Sequence, residues 1–280
     1  MIPLSKNFPL NRKQWALTKV IISVVIIVIV ILGGLFLDEG KIVTNLTNRN
    51  SPPSLDHLFG TDWLGRDMFT RTAKGLILSV GVGLIGAISS ALIALILGMT
   101  AATMGKRADR LISWLIDLFL SVPHLVTLIL IAFIFGGGFK GIVVGLALTH
   151  WPSLARVIRA EVLQIRSAEF VQVSRRMGKS GWWIAVHHII PHIIPQFLIG
   201  FMLLFPHVIL HEAAVTFIGL GLSPHEPAIG IILSESMKYL SAGMWWLAFF
   251  PGLCLLMIVR LFDQIGENLR LLTDSNGDRD

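Results

Sequence analysis

The segment 205–217, FPHVILHEAAVTF, places His207 and His211 one helical turn apart, with Glu212 beside the second histidine. Neutral imidazole is the commonest protein ligand for transition metals, so the pair can touch a metal ion or a metal chelate in passage. Hydrogen bonding between packed helices is the other use of two histidines on one face, and their spacing leaves both readings open. A zinc-hydrolase helix is excluded: His-Glu-x-x-His requires histidine at position 215, which is Val215. His150, ahead of Trp151 in LTHWPS, invites the same pair of readings. A third use would join His207, His211 and Glu212 as a proton or ion relay.

A second cluster lies in FVQVSRRMGKSGWW, residues 170–183, where Arg175, Arg176 and Lys179 surround Gly178, with two tryptophans behind. The apolar spacing from Glu161 to Met177 predicts a helix, and Gly178 supplies its stop. A second amphipathic run, Trp182 to Ile190, leads to Pro191. Such an element suits the surface of anionic lipid, with tryptophans at headgroup level. It equally suits a helical knob that docks into a partner. GKSGWW is not a nucleotide loop, because the glycine that must open G-x-x-x-x-G-K-[ST] is missing.

The elements that position these residues are set by hydropathy. Of 280 residues, 54% are hydrophobic and 14% charged, with a mean hydropathy of +0.75. Soluble domains carry about a quarter charged residues, so a soluble globular chain is excluded. Apolar blocks long enough to cross a bilayer fall near 17–37, 76–104, 111–135, 141–160, 193–222 and 240–260. An all-α polytopic membrane protein of six transmembrane helices is the expected fold class.

The first block follows Lys6, Arg12, Lys13 and Lys19, but it is long for a signal peptide and continues into LFLDEG. It reads as an uncleaved span. Cys254, the single cysteine, allows no intrachain disulfide. Placing both termini in the cytoplasm puts sixteen Lys and Arg inside and seven outside. This obeys the positive-inside bias, so the net charge of +6 reflects membrane orientation rather than nucleic-acid binding.

The organisation expected is a cytoplasmic N-terminus (1–16), a first transmembrane helix (17–37), an extracytoplasmic connection (38–75), a transmembrane core (76–265) with a cytoplasmic loop at about 161–192, and a cytoplasmic tail (266–280). The end of that tail, DSNGDRD, reads as frayed.

Charge inside a span needs a reason. Asp117 is expected to pair with Arg110 or Arg156, or to take part in coupling. Pro123, Pro152, Pro195, Pro206 and Pro251 permit kinks. Asp62/Arg66 and Asp67/Arg71 have the i, i+4 spacing of a short surface helix.

Three motifs carry a resemblance. EFVQVSRRMGKSGWWIAVHHIIP (169–191) is similar to the cytoplasmic signature of ATP-binding-cassette importer permeases, with Pro191 thirteen residues after Gly178. Gln172, Val173 and Ser174 stand where that family has Glu-Ala-Ala. FGTDWLGRDMFTR (59–71) and FIGLGLSPHEPAIGIIL (217–233) resemble elements of the dipeptide, oligopeptide and nickel branch, with Ala228–Ile229 departing from the usual Glu-Trp. The resemblance implies a type I importer permease fold in a prokaryotic inner or plasma membrane. It implies a second permease subunit, two cytoplasmic ATPase subunits that bind ATP and Mg, and an extracytoplasmic substrate-binding protein. It also implies a coupling role for Glu169, Gln172, Val173, Ser174, Arg175, Arg176, Gly178, Lys179 and Ser180, with no catalytic residue or cofactor in this chain.

LTHW and ILHEAAVTFIGLGL look more like the nickel type. Nickel or another metal chelate is therefore the expected cargo, contacted by His207 and His211 in a pathway that also takes in His150, Trp151 and Glu212. Di- or oligopeptide import is the alternative, and an ion-coupled secondary transporter the alternative class.

Overall fold

The computed structural model describes residues 12–273. Ten α-helices make up most of them: α1 (Arg12–Phe36), α2 (Met68–Thr103), α3 (Lys106–Ser121), α4 (His124–Ile134), α5 (Gly138–Ser167), α6 (Glu169–Arg176), α7 (Gly181–Ile184), α8 (Ile190–Phe217), α9 (Ile229–Leu240) and α10 (Trp246–Thr273). A π-helical turn, Ala185–Ile189, joins α7 to α8. Among the described residues five helical stretches are long and apolar enough to cross a membrane, α7 to α8 counting as one. The bent pair α3–α4 brings the number to six. Of the expected terminal segments, residues 1–11 and 274–280 lie outside the described residues. Residues 12–16 and 266–273 already belong to α1 and α10.

The core is built where small residues let helices approach. The most extensive pairing is α2 against α5. A Cβ on Gly86 would lie 2.9 Å from Leu146 Cβ, and one on Gly98 would lie 2.8 Å from the Ala155 carbonyl. Close approach of this kind replaces the hydrophobic driving force that lipid does not supply between helices. α8 also packs on α2, beside α5, with Phe205 and Ile209 fully buried. α1 rests mainly on α10 and leaves Ile21, Ile29 and Leu35 outward, the faces a helix gives to lipid.

Two expectations change. The block 111–135 is not one helix: α3 and α4 meet at 101°. Pro123 has no N–H to continue the ladder and holds Val122 extended (φ −91°, ψ 141°), so the helix must stop at Ser121. Likewise 161–177 is broken at Ala168 (φ −64°, ψ 144°), which separates membrane-spanning α5 from the short α6. α5 itself runs uninterrupted through HWPS, with Pro152 inside the helix.

Candidate functional site

Three histidines meet where α4, α5 and α8 come together. His124 opens α4, directly after the proline break. His150 is buried midway along α5, and His211 lies on α8. His124 Nε2 and His211 Nδ1 are each 3.1 Å from His150 Nε2. The ligand nitrogens of the three all lie within 4.8 Å of one another.

They line a cavity of about 250 Å³ with His207, Ser153 and Leu204. A neighbouring cavity of about 460 Å³ shares those last three residues and reaches Gln196 and Arg270.

The residues read from the sequence are therefore only partly brought together. His211 and His150 share one cluster, while His207 stands one turn back on the cavity wall. His124 takes the place expected for His207; in the sequence it is a lone histidine in an apolar run, with no partner at helical spacing. Glu212 points elsewhere: it is fully buried and accepts a hydrogen bond from Thr216 Oγ1 at 2.9 Å. The His207/His211/Glu212 relay is therefore not assembled. Trp151 turns from the cavity, its ring nitrogen donating to the Leu148 carbonyl and its face packed edge-on to Phe119.

At another end of the bundle α6 stands out as a knob. Val171 is fully buried and anchors it. The Gly178 N–H donates to the Arg175 carbonyl and the Lys179 N–H to the Ser174 carbonyl, with Gly178 at φ +78°. This is the paired closure of a Schellman motif, which needs a left-handed residue at that place. Ser180 then caps α7, accepting from the Trp183 N–H at 3.2 Å. Ser174 Oγ and His188 Nε2 lie 2.8 Å apart, tying α6 to the π turn. Phe170 stacks on His192, and Lys179 lies 4.8 Å over the Trp183 ring.

Glu169, Gln172, Val173, Arg175, Arg176, Lys179 and Trp182 remain exposed, with Gln172 donating to the Arg166 carbonyl. Ser174 is half-buried.

The segment 59–71 is not a surface helix: residues 59–67 form a largely buried turn and residues 68–71 open α2. Gly60 and Gly65, both at positive φ, turn the chain so that Thr61 bridges Asp67. Asp62 is fully buried and accepts from the Leu64 and Arg66 N–H groups, from Arg66 Nε at 2.7 Å and from Arg71 Nη1 at 3.1 Å. Arg71 also donates to Glu235 on α9. Asp67 caps α2 through the Thr70 N–H. The Asp62/Arg66 spacing is that of a tight turn, the Asp67/Arg71 spacing spans the start of α2, and Arg71 ties that turn to α9. On α3, Asp117 pairs with Arg156 at 2.8 Å, and Asp109 takes Arg159 in two bonds.

Residues 94–270 match the model of the binding-protein-dependent transport system inner membrane component. The chain belongs to that family. It is similar to the dipeptide transport system permease protein DppC of Bacillus subtilis (strain 168), 31% identical over 93% of this chain and 82% of that protein. To the oligopeptide transport system permease protein OppC of the same organism it is 32% identical, over 93% of this chain and 85% of that one. Among solved structures, an inward-facing conformation of the MetNI methionine ABC transporter covers 74% of this chain and 98% of its own at a TM-score of 0.62 and 18% identity, which shows a shared fold.

As a member of this family the chain is an ABC importer permease of the dipeptide and oligopeptide branch, a multi-pass protein of the plasma membrane. Within the family match lie all three histidines and the whole of α6.

Proposed function

We propose that this permease forms one half of the pathway by which an ATP-driven importer moves di- or oligopeptide solutes. The relatives named for dipeptide and oligopeptide transport support that cargo class. They favour it over nickel, the cargo suggested by LTHW and ILHEAAVTFIGLGL. The partners are a second permease, two ATPases that bind ATP and Mg, and a substrate-binding protein that delivers the load. The Lys and Arg distribution supports a cytoplasmic location for both termini, and with it for α6 as the coupling element.

One observation carries the mechanism: α6 is held rigidly from behind and exposed in front. Val171, the Ser174–His188 bond and the Gly178 closure fix its base. Val173, Met177 and Trp182 give an apolar surface ringed by Arg175, Arg176 and Lys179. A rigid, partly apolar knob transmits displacement, whereas a lipid-skimming helix has no need of such bracing. ATP-driven closure of the ATPase pair would move α6 and, through Ala168, the cytoplasmic end of α5. The α4–α5–α8 cavity, facing the second permease, would then alternate in access.

Uptake of a radiolabelled dipeptide into proteoliposomes holding the full importer tests this reading. Uptake is expected to need ATP and to survive collapse of the proton gradient. Uptake that persists with catalytically dead ATPases and vanishes with the gradient would establish the ion-coupled alternative instead.

A further inference from the structure

The tautomer of His150 is fixed by its surroundings. Its Nδ1 lies 3.1 Å from the Leu146 carbonyl and 3.1 Å from Thr149 Oγ1. The Thr149 hydroxyl donates its own proton to the Gly145 carbonyl at 2.9 Å, so both neighbours of Nδ1 accept. Nδ1 therefore carries the proton, and Nε2 presents a bare lone pair. Two further imidazole nitrogens, His124 Nε2 and His211 Nδ1, crowd that lone pair at 3.1 Å. One lone pair accepts one good hydrogen bond, so the arrangement gathers more nitrogens than hydrogen bonding can use. A backbone carbonyl orienting a histidine through its far nitrogen is the usual support of a metal ligand.

The geometry points to a site for a borderline divalent transition-metal ion, carried into the pathway by a peptide-like chelator, with His124 Nε2, His150 Nε2 and His211 Nδ1 as its protein ligands. Metal–imidazole bonds of about 2.0–2.1 Å place ligand nitrogens roughly 2.9–3.4 Å apart in octahedral or tetrahedral geometry. Two of the three separations already fall in that range. All-nitrogen ligation selects the zinc, nickel, cobalt and copper class over magnesium or calcium.

The lining of this cavity holds no carboxylate among the described residues. The ion's charge thus has to be balanced by its carrier, and a peptide's carboxylate and amine supply both anionic charge and the remaining ligands. Three neutral ligands on three separate helices release the ion when those helices shift, as passage requires. His207, shared with the larger cavity toward Gln196 and Arg270, is the next imidazole along the way.

The inference rests on the peptide-importer reading for its carrier but not for its ligands, and the test separates the two. The full importer, purified without a histidine tag and placed in nanodiscs, is titrated with Co2+. The visible absorption that cobalt gains in low-symmetry nitrogen ligation reports occupancy. One equivalent per copy of this chain is expected, weakened at least tenfold by His124→Ala and by His211→Gln, and unmoved by His187→Ala on the exposed π turn.

Absence of saturable binding, or binding indifferent to both substitutions, overturns the site and leaves an interhelical hydrogen-bond network. Should a variant fail to assemble, cobalt-edge X-ray absorption on the wild type still decides, because fewer than three imidazole scatterers count against the site. Failure of ATP-driven uptake of a metal-free dipeptide, with cobalt binding intact, would remove the peptide-importer reading and not the site.

Discussion

Arg71 and Asp62, nine residues apart in sequence, meet at 3.1 Å inside the protein, and Arg71 continues to Glu235 on α9. Asp62 is fully buried and takes four N–H donors, so its charge is compensated only while the turn stays closed. Breaking a buried ion pair costs up to about 3–5 kcal/mol, and loss of Arg71 leaves Asp62 with Arg66 alone as its cation among the described residues. Arg71→Ala is expected to lower the thermal unfolding temperature of the detergent-purified importer sharply. Arg66→Ala, which removes a partner less deeply buried, is expected to do less. Fluorescence-detected size exclusion after heating measures both.

Gly178 adopts φ +78° with open space where a Cβ would stand, so what a side chain meets there is backbone strain rather than a clash. A left-handed conformation costs an ordinary L-residue roughly 1–2 kcal/mol, and asparagine less. Gly178→Val is expected to insert normally, yet to lose most substrate uptake per ATP hydrolysed. Gly178→Asn should retain most of it. Uptake and hydrolysis measured on the same proteoliposomes read the ratio.

Much of this was legible in the sequence because bilayers enforce it. Apolar blocks of about 20 residues have few structural alternatives, so the existence of spans such as α2 and α10 could be read from composition, although the block at 240–260 begins on the last residue of α9 and stops short of the end of α10 at Thr273. Gly178 could be read as a helix stop because glycine favours the left-handed region. Breaks were harder to place. Val122–Pro123 marks a bend, but whether it kinks a helix slightly or turns it by 101° depends on the α5 surface that receives α4. The histidine cluster was half visible: His207 and His211 share a helix and a period, whereas His124 and His150 are 26 residues apart and meet only through that bend. Asp62/Arg66 misled because an i, i+4 spacing is also produced by a tight turn, and burial is not written in spacing.

The α2–α5 contact makes a steric prediction. At Gly98 an added Cβ would stand 2.8 Å from a backbone carbonyl and 2.9 Å from Ile158 Cγ2. Neither neighbour can swing away as the end of a flexible side chain would. Gly98→Val is expected to force α2 from α5, reducing the yield of monodisperse importer several-fold. Gly81→Val, on the same helix but with open space around it, should leave the yield near wild type. Expression of both variants with size-exclusion profiles separates packing from helix propensity, since both replace a helical glycine by the same residue.

The Ser174–His188 bond ties the front of the knob to its base, and a single hydroxyl supplies it. Such a bond contributes about 1 kcal/mol, too little to endanger folding but enough to let α6 lean when a partner pushes on it. Ser174→Ala is therefore expected to leave the melting temperature nearly unchanged while weakening the stimulation of ATP hydrolysis by loaded binding protein, on the order of two- to fivefold. His188→Ala, which also removes ring contacts with Phe170 and Trp183, should do at least as much, and the double variant should be no worse than His188→Ala alone, as expected where the Ser174 hydroxyl acts through His188. Basal hydrolysis measured without binding protein supplies the reference. Additive losses in the double variant would mean that the two side chains act separately and that the brace is not what transmits the movement.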